Sequence, residues 1–527
     1  MNTELTEPIL DRSPSQAPSR APYNLAPSRL EPASAAPLYR QIYDALRRDL
    51  LEGRLEPGRR LAATRVMADT LAVSRNTVLE AIEQLAAEGY VESRAGSGTF
   101  ATRNLPDDLL QLRASSPAAE SIGSPGLSKR GESYRPHAEA LRRPRAKPFT
   151  LGRPAIDQFP WPVWWRLMTK RGRELPREWL DYTDPQGYPP LRRALARYLH
   201  DSRGLDCDAD QILIVRGSQQ GLDLAARVLL DPGDAAWVED PGYSAARIVL
   251  AASGAELVPV PIDGEGLDVE TGRRLDQQRA GEPARLAYVT PSHQFPLGIT
   301  MSLSRRLELL RWAHDAGAWI IEDDYDSEFR FVGRPHASLA GLDGGGHVLY
   351  LGTLSKVLFP ALRLGYLVVP PEYVDAFAGA RYASDRHTGL LEQAVIADFF
   401  DDGHFERHIR RMRQLYAERQ QALSGAIKKH LEGAIDLQPS PAGLHDIGWL
   451  APELDDADIT RRAEAEGTIV SPLSSYRVQS QEAPTEQDPA QQAPALLFGY
   501  AGFPADELEE AVRRLARVFE DELYREE

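Results

Sequence analysis

The chain has 527 residues, 42% of them apolar, and a net charge of −16, which suits a small domain plus a large one rather than a single domain. Its single cysteine, Cys207, excludes a disulfide framework and a cysteine-rich zinc site, which favours a reducing compartment. No stretch reaches the roughly 20 apolar residues needed to cross a bilayer, and the N-terminus lacks a signal-peptide pattern. The expectation is a soluble, cytoplasmic protein with no membrane partner.

The negative charge is unevenly distributed along the chain. Residues 37–103 hold ten arginines and nine acidic residues, so this segment is close to neutral while the remainder carries nearly all the negative charge. The net charge therefore argues against wrapping of nucleic acid over the whole surface. A local nucleic-acid-binding face within this segment remains compatible with the composition.

Composition divides the chain into four segments. Residues 1–35 are rich in Ser, Pro and Ala and are predicted to be a disordered N-terminal tail. Residues 36–103 are compact and periodic, whereas residues 104–147 lose that periodicity and are predicted to be a semi-extended linker. Residues 148–527 alternate β-like runs with helical patterns, which predicts an α/β domain with a mainly parallel sheet.

The strands of this large domain are predicted from short apolar runs. They are QILIV at 211–215, AAWVE at 235–239, RLAYVT at 285–290, AWIIE at 318–322 and HVLYL at 347–351. The polar stretch 478–494 is predicted to be a long exposed loop.

Residues 36–103 predict three helices and a hairpin. A first helix ending at Gly53 carries an apolar stripe of four-residue spacing, Leu38, Ile42, Leu46 and Leu50. A second helix runs from Thr64 to about Leu71, and Ser74 is predicted to cap a third helix that runs to Gly89. Residues 90–101 follow as a hairpin, so the pattern indicates a winged helix-turn-helix.

Such a domain suits DNA, because a recognition helix enters the major groove with its N-terminal end. Arg75, Asn76 and Thr77 would be exposed on the first turn of the third helix. Small residues at the wing tip, Gly98 among them, let backbone amides approach a phosphate closely. The pattern alone leaves open the alternative of a three-helix protein-interaction module.

The same segment resembles the GntR-type winged helix over its full length. The resemblance rests on L-x-x-x-R-x-x-A at 61–68, V-S-R-N-T-V at 73–78 and G-S-G-T-F at 96–100. It implies that double-stranded DNA is a partner. It further implies Arg65, Arg75 and Thr77 as the first candidate DNA contacts, followed by Ser74, Asn76 and Gly98.

In the large domain, two features suit a flat phosphorylated ligand. Gly217-Ser218-Gln219 opens a helix after a strand, and backbone amides at a helix N-terminus together with a hydroxyl suit a phosphate. Tyr243 ends another strand and could stack on a flat ring. Taken alone, such a glycine-serine turn more often connects elements and such a tyrosine more often packs in a core.

Asp323 follows a buried strand at 318–322 and could hold a pyridine nitrogen protonated, which makes the ring an electron sink. Tyr325, two residues on, could reach a ring hydroxyl. The alternative is that Glu322, Asp323, Asp324 and Asp326 form a solvated or metal-binding acidic turn.

Lys356 follows the strand at 347–351 and could form a Schiff base with an aldehyde. Arg363 lies seven residues further along and offers a two-pronged donor to a phosphate. An exposed lysine alone would mean little. The ordered set of Ser218, Tyr243, Asp323, Lys356 and Arg363 nevertheless predicts a site for pyridoxal 5′-phosphate.

From about residue 150 to the end, the chain resembles the fold-type I aminotransferases. It resembles more closely the MocR-type transcription regulators, in which such a domain follows a GntR winged helix. The motifs are RGSQQGLDL, EDPGY, TPSHQFPLG, IIEDDYDSEFRF and GTLSKVLFPALRLGY. The resemblance implies that Lys356 is the Schiff-base lysine and Asp323 the pyridinium partner. It also implies a homodimer on paired DNA half-sites, with Tyr182 reaching the partner subunit's phosphate.

Two departures from the enzymes of this fold favour sensing over turnover. The enzymes usually carry Asn-Pro-x-Gly where this chain reads Phe295-Pro296-Leu297-Gly298. They also place a carboxylate-binding arginine in the strand corresponding to 496–500, and Arg477 is the nearest replacement for an effector. The expected effector is pyridoxal phosphate itself or a small amino compound.

The alternative reading of the large domain is an active aminotransferase with an appended DNA-binding domain, and the sequence leaves turnover open. No metal is predicted, because His404 and His408 share a helix face without a third ligand.

Overall fold

The computed structural model describes residues 21–30, 34, 36–103, 105, 126–135, 146–174, 176–279, 281–331, 333, 337–344, 346–478 and 493–523. The chain divides into two compact units, Met1–Leu127 and Ser128–Glu527. Within these ranges, no helix combines the length and the apolar character that a membrane crossing requires.

The first unit is a winged helix-turn-helix, as predicted. Its elements are α1 (Leu38–Leu51), α2 (Thr64–Leu71), α3 (Arg75–Ala87), β1 (Val91–Arg94) and β2 (Gly98–Ala101). The two strands form an antiparallel hairpin with Val91 opposite Ala101. Ser74 caps α3, because its Oγ accepts a hydrogen bond from the Thr77 amide at 3.1 Å. The apolar faces of the three helices meet in one core with Ile42, Met67 and Val78 fully buried.

Part of the N-terminal segment belongs to this unit, which corrects the prediction of a disordered tail through residue 35. Tyr23 pairs with residues 60–62 through two backbone hydrogen bonds, from its amide to Arg60 O at 2.8 Å and from the Ala62 amide to Tyr23 O at 2.7 Å. Leu25 is fully buried in the winged-helix core. Composition gave no sign of this, because the order comes from pairing with a distant segment rather than from local periodicity.

The predicted linker at 104–147 is described only in part. Residues 104, 106–125 and 136–145 lie outside the described residues, as do residues 479–492 of the predicted loop at 478–494. The described portion contains a short helix, α4 (Lys129–Ser133), capped by Ser128 Oγ, which accepts from the Gly131 amide at 3.0 Å. Here the linker is helical rather than extended.

The second unit is built on an eight-stranded sheet with the order β3-β10-β9-β8-β7-β4-β5-β6. The strands β9, β8, β7, β4 and β5 are parallel to their neighbours, while β10 and β6 run antiparallel. The five predicted strands are confirmed, with ends that shift by at most two residues. The bounds are β3 (Ile212–Val215), β4 (Ala235–Asp240), β5 (Glu256–Asp263), β6 (Gly266–Leu267), β7 (Leu286–Val289), β8 (Trp319–Asp324), β9 (Val348–Thr353) and β10 (Gly365–Val368).

Helices cover both faces of this sheet. On β3, Leu213 and Val215 enter one apolar cluster while Ile212 and Ile214 enter another, as the alternation of side chains along a strand requires. The helices of this unit are α5 (Trp161–Arg173), α6 (Pro189–Arg203), α7 (Ser218–Leu229), α8 (Ser244–Ser253), α9 (Val269–Gln278), α10 (Leu303–Ala316), α11 (Leu339–Leu342), α12 (Val374–Ser384), α13 (Leu390–Asp401), α14 (His404–His430), α15 (Asp456–Ala465) and α16 (Ala505–Leu523).

A smaller antiparallel sheet lies in the C-terminal part, with the order β11-β12-β14-β13. Its strands are β11 (Asp436–Gln438), β12 (His445–Trp449), β13 (Ser471–Pro472) and β14 (Ala495–Gly499). The carboxyl ends of β4, β8 and β9 meet at one edge of the large sheet. Parallel α/β sheets bind their ligands at this edge.

Candidate functional site

Lys356 lies in the turn that follows β9. Its Nζ donates a hydrogen bond to the Gly152 carbonyl oxygen at 2.9 Å. Burial lowers the pKa of Lys356, with Asp326 and Asp323 opposing the shift. A lowered pKa increases the neutral, nucleophilic fraction that Schiff-base formation needs. Gly152 has φ +63°, a backbone conformation that favours glycine, and a Cβ there would stand 2.4 Å from Nζ, so the amine would have to shift.

Asp323 lies near the end of β8 with one carboxylate oxygen unsatisfied. Its Oδ2 accepts a hydrogen bond from the Tyr288 hydroxyl at 2.7 Å. Its Oδ1 is buried and has no hydrogen-bonding partner among the described residues. Burial raises the pKa of Asp323 to about 7. A buried acceptor without a partner costs about 1–3 kcal/mol, so a ligand N–H such as that of a pyridinium ring fits this oxygen.

A candidate phosphate cradle lies where β3 leads into α7. Gly217 precedes the helix at φ +79°, and a Cβ on it would approach the Arg363 guanidinium to 3.4 Å. Two further polar atoms, Ser355 Oγ and Gln219 Oε1, are buried without a partner in the described part of the chain. The amides at the helix N-terminus that begins at Ser218, the exposed Arg363 and the Ser355 hydroxyl are donors and fit a phosphate group, whereas Gln219 Oε1 can only accept a hydrogen bond.

Aromatic side chains line the space beside this cradle. The Phe295 ring meets Tyr243, Tyr325 and Tyr476 edge-on, with ring centroids 5.7, 6.1 and 5.1 Å away. Phe295 contributes no hydrogen-bonding side chain to this space. The Tyr325 hydroxyl lies 2.9 Å from His293 Nδ1.

Arg477 is brought to the edge of this site. The residue before it, Tyr476, accepts the Gly242 amide through its carbonyl oxygen at 3.0 Å, and the residue after it donates its amide to Asp240 Oδ1 at 2.9 Å. The Arg477 guanidinium donates to Ala493 O at 3.1 Å. Its segment thus runs beside the turn that carries Tyr243.

Tyr182 is not brought to Lys356 by any described contact within one chain. Its side chain is 72% exposed, and the Arg386 guanidinium stacks on its ring at 4.3 Å. This exposure leaves the residue accessible to a second subunit.

The acidic residues around Asp323 are buried and have separate partners, so the alternative of a solvated acidic turn is wrong. Glu322 accepts hydrogen bonds from two backbone amides of α11, each at 2.9 Å. Asp324 pairs with Arg203 at 2.7 Å, and Asp326 pairs with His293 at 3.0 Å. These pairs hold the end of β8, which carries Asp323, and the turn after it, which carries Tyr325.

Replacing Arg203 by methionine should destabilise the second unit by about 3–5 kcal/mol, because Asp324 and Glu328 would be left buried without their cation. The matched control is Arg197→Met on the same helix. Its ion pair with Asp401 is exposed, so the expected loss is below about 1 kcal/mol. Urea unfolding followed by tryptophan fluorescence measures both, and equal losses would contradict a structural role of the buried pair.

On the winged helix, the predicted DNA-contact residues differ in exposure and in the hydrogen bonds that their side chains already make. Arg65, Arg75 and Asn76 are exposed, and Arg75 Nε lies 3.4 Å from Thr64 Oγ1 of α2. The hydroxyls of Ser74 and Thr77 are 2.8 Å apart and are engaged in the helix cap.

Gly98 begins β2 at φ +107°, and a Cβ there would stand 2.9 Å from Arg60 Nε. Arg60 therefore lies against the wing, at a position that the sequence analysis did not single out.

The structure adds residues to the candidate cofactor site that the sequence analysis did not assign. Ser355 could have been found, because it directly precedes Lys356. Gly152, Tyr288 and the role of His293 had no local signal, since Gly152 is 204 residues from Lys356 along the chain.

Comparison with known proteins agrees with this arrangement. The family described as aminotransferase class I and II matches residues 149–515, and the family described as bacterial regulatory proteins, gntR family, matches residues 38–101. A probable rhizopine catabolism regulatory protein, MocR of Rhizobium meliloti, is 40% identical over 92% of this chain and 94% of its own length. The pyridoxine biosynthesis transcriptional regulator PdxR of Corynebacterium glutamicum is 30% identical over 85% of this chain and 91% of its own length.

Among solved structures, the second unit is similar to the α-aminoadipate aminotransferase LysN of Thermus thermophilus, complexed with N-(5′-phosphopyridoxyl)-L-leucine. The TM-score is 0.66 at 27% identity, over 76% of this chain and 98% of that enzyme.

Proposed function

Because the chain belongs to the aminotransferase class I and II family and carries a gntR-family domain near its N-terminus, we propose that it is a pyridoxal-phosphate-dependent transcription regulator. Its winged helix binds double-stranded DNA, and its aminotransferase-like domain senses pyridoxal phosphate or a small amino compound. The observation that carries the proposal is the unsatisfied, buried Asp323 Oδ1 close to Lys356, in a chain that also has a helix-turn-helix.

When bound, the cofactor supplies an aldehyde that reacts with amines and a ring that withdraws electrons. The chain's own residues hold it. Lys356 would bind the aldehyde carbon, Asp323 would accept from the ring nitrogen, and Tyr325 would donate to the ring oxygen. Tyr243 would pack against the ring, and Ser218, Gln219, Ser355 and Arg363 would hold the phosphate.

Sensing fits this site better than rapid turnover. Efficient amino transfer needs a clamp that fixes the substrate's Cα–H bond at right angles to the ring. The strand β14 offers only Leu496, Leu497 and Phe498 there, all fully buried. Arg477 is the proposed carboxylate contact, but its guanidinium is tied to Ala493 O.

An active aminotransferase remains the second candidate function, favoured by the buried Asp323 Oδ1 and the buried Lys356.

The regulator is proposed to act as a homodimer on paired half-sites in the bacterial cytoplasm. The exposed Tyr182 supports a second subunit at the cofactor site, and the winged helix supports a bacterial promoter as target. An effector changes DNA binding only if it binds two states of the protein unequally.

A panel of amino acids, γ-amino acids, amino sulfonates and diamines tests the choice between sensing and turnover. The matching amine should shift the cofactor's visible absorption band and change the midpoint of promoter binding. The shifted band should persist, because loose orientation slows amino transfer. Stopped-flow absorbance measures the rate. Conversion of an amine at about 1 s⁻¹ or faster would select the aminotransferase instead.

A further inference from the structure

We propose that His293 is the positioning residue that directs the Tyr325 hydroxyl proton at the ring oxygen of the bound cofactor. The inference rests on the proposed function, since it concerns the same site. His293 lies in the loop after β7. Phe295, two residues further along, has no polar side chain and cannot perform this task.

His293 is buried between three polar groups. Its Nδ1 lies 2.9 Å from the Tyr325 hydroxyl oxygen and 3.0 Å from Asp326 Oδ2. Its Nε2 lies 3.1 Å from Ser440 Oγ. The imidazole therefore joins the turn after β8 to the segment before β12.

The contact with Asp326 indicates which ring nitrogen of His293 carries the hydrogen. Burial raises the pKa of Asp326, while its contact with His293 opposes that rise. When Asp326 is ionised, its carboxylate only accepts hydrogen bonds. A lone pair on Nδ1 would face this ionised acceptor at 3.0 Å, so beside the Asp326 carboxylate Nδ1 carries the hydrogen. Nδ1 then cannot accept from Tyr325, and its one hydrogen is shared between two acceptors, Asp326 Oδ2 and the Tyr325 oxygen.

The Tyr325 hydroxyl proton consequently has no acceptor among the described residues. His293 is the only hydrogen-bonding partner of the Tyr325 hydroxyl in the described part of the chain. Burial and the neighbouring Asp326 and Asp323 raise the pKa of Tyr325, so the proton stays on its oxygen. With the oxygen's acceptor side turned to His293, this proton points away from the imidazole and is available to the ligand.

The surrounding backbone is shaped for an imidazole. A Cβ on Gly443 would stand 2.2 Å from His293 Cε1, and one on Gly298 would stand 3.1 Å from Nε2. His445 lies beside the ring at 5.2 Å, but it donates from Nε2 to Pro296 O, and burial lowers its pKa to about 3. His445 is thus neutral and otherwise engaged.

A donor to the cofactor's ring oxygen stabilises the anionic form of that oxygen. It therefore lowers the pH midpoint at which the visible band titrates. Hydrogen bonds to charged groups contribute about 1.5–3 kcal/mol, and one pKa unit corresponds to about 1.36 kcal/mol. Losing the Tyr325 donor should therefore raise the titration midpoint by about one pH unit or more.

The experiment titrates the visible band of the full-length protein loaded with pyridoxal phosphate. The asparagine amide in His293→Asn can replace the Nδ1–H donor, whereas the longer side chain in His293→Gln places its amide near Nε2. We expect the midpoint to rise in His293→Gln and His293→Leu and to stay within about 0.3 units of the wild type in His293→Asn. If His293→Leu does not fold, the comparison of His293→Asn with His293→Gln still tests the inference.

A double-mutant comparison separates positioning from general disturbance. Tyr325→Phe should raise the midpoint by itself, and adding His293→Gln to it should produce no further shift. Additive shifts, or an unchanged midpoint in His293→Gln, would overturn the inference. A wild-type protein with no visible band, or a band that survives Lys356→Ala, would instead overturn the proposed function and is distinguishable on that account.

Discussion

Lys356→Ala should abolish the visible absorption band of the protein loaded with pyridoxal phosphate. The band requires an imine conjugated to the ring, and Lys356 is the amine whose pKa burial lowers beside Asp323. Borohydride reduction should fix the cofactor to the wild-type peptide that contains Lys356. Circular dichroism should show that the variant remains folded, because the lysine's only described hydrogen bond is to Gly152 O.

Lys170→Ala is the matched control for this loss. Lys170 lies on α5 with a half-exposed side chain and only a long ion pair to Asp398 at 3.7 Å. The control should keep the band at full strength. Labelling of a lysine other than Lys356 by borohydride would show that the assignment of the Schiff-base residue is wrong.

Arg75→Ala should weaken binding to the target promoter by about 1–3 kcal/mol if the arginine binds a base, and should relax sequence preference at that position. If the arginine binds a phosphate, the slope of log affinity against log salt should become shallower by about 0.9 for each phosphate that is no longer neutralised. The reason is its position, exposed on the first turn of α3. Arg65→Ala, on α2, should act in the same direction.

The control for both variants is Arg40→Ala, which removes one positive charge from α1, outside the helix-turn-helix. Arg40 is exposed and pairs with Asp44 at 3.5 Å. Fluorescence anisotropy with promoter DNA at several salt concentrations measures all three variants. Unchanged affinity of Arg75→Ala across the salt series would rule out α3 as the recognition helix.

The sequence by itself determined the three helices and the hairpin of the winged helix, five strands of the large sheet, and the order of the site's elements. The four-residue spacing from Leu38 to Leu50 encodes α1, and continuous apolar runs such as residues 212–215 encode strands covered on both faces. These signals are local, since each depends only on residues within a single helix or strand. The end points of strands were predicted less accurately, because β8 continues through Asp323 and Asp324, where charged residues are paired rather than solvated.

The tertiary structure alone decided which groups meet. Leu25 joins the winged-helix core, and Gly152 meets Lys356, through contacts between segments distant in the chain. The same holds for His293, which meets Asp326 at 3.0 Å and whose space is left by Gly443. Composition and periodicity report what a residue prefers as its local conformation. They do not report the hydrogen-bond partner that a buried polar atom finds, because that partner is fixed only when the sheet has brought the ends of its strands together.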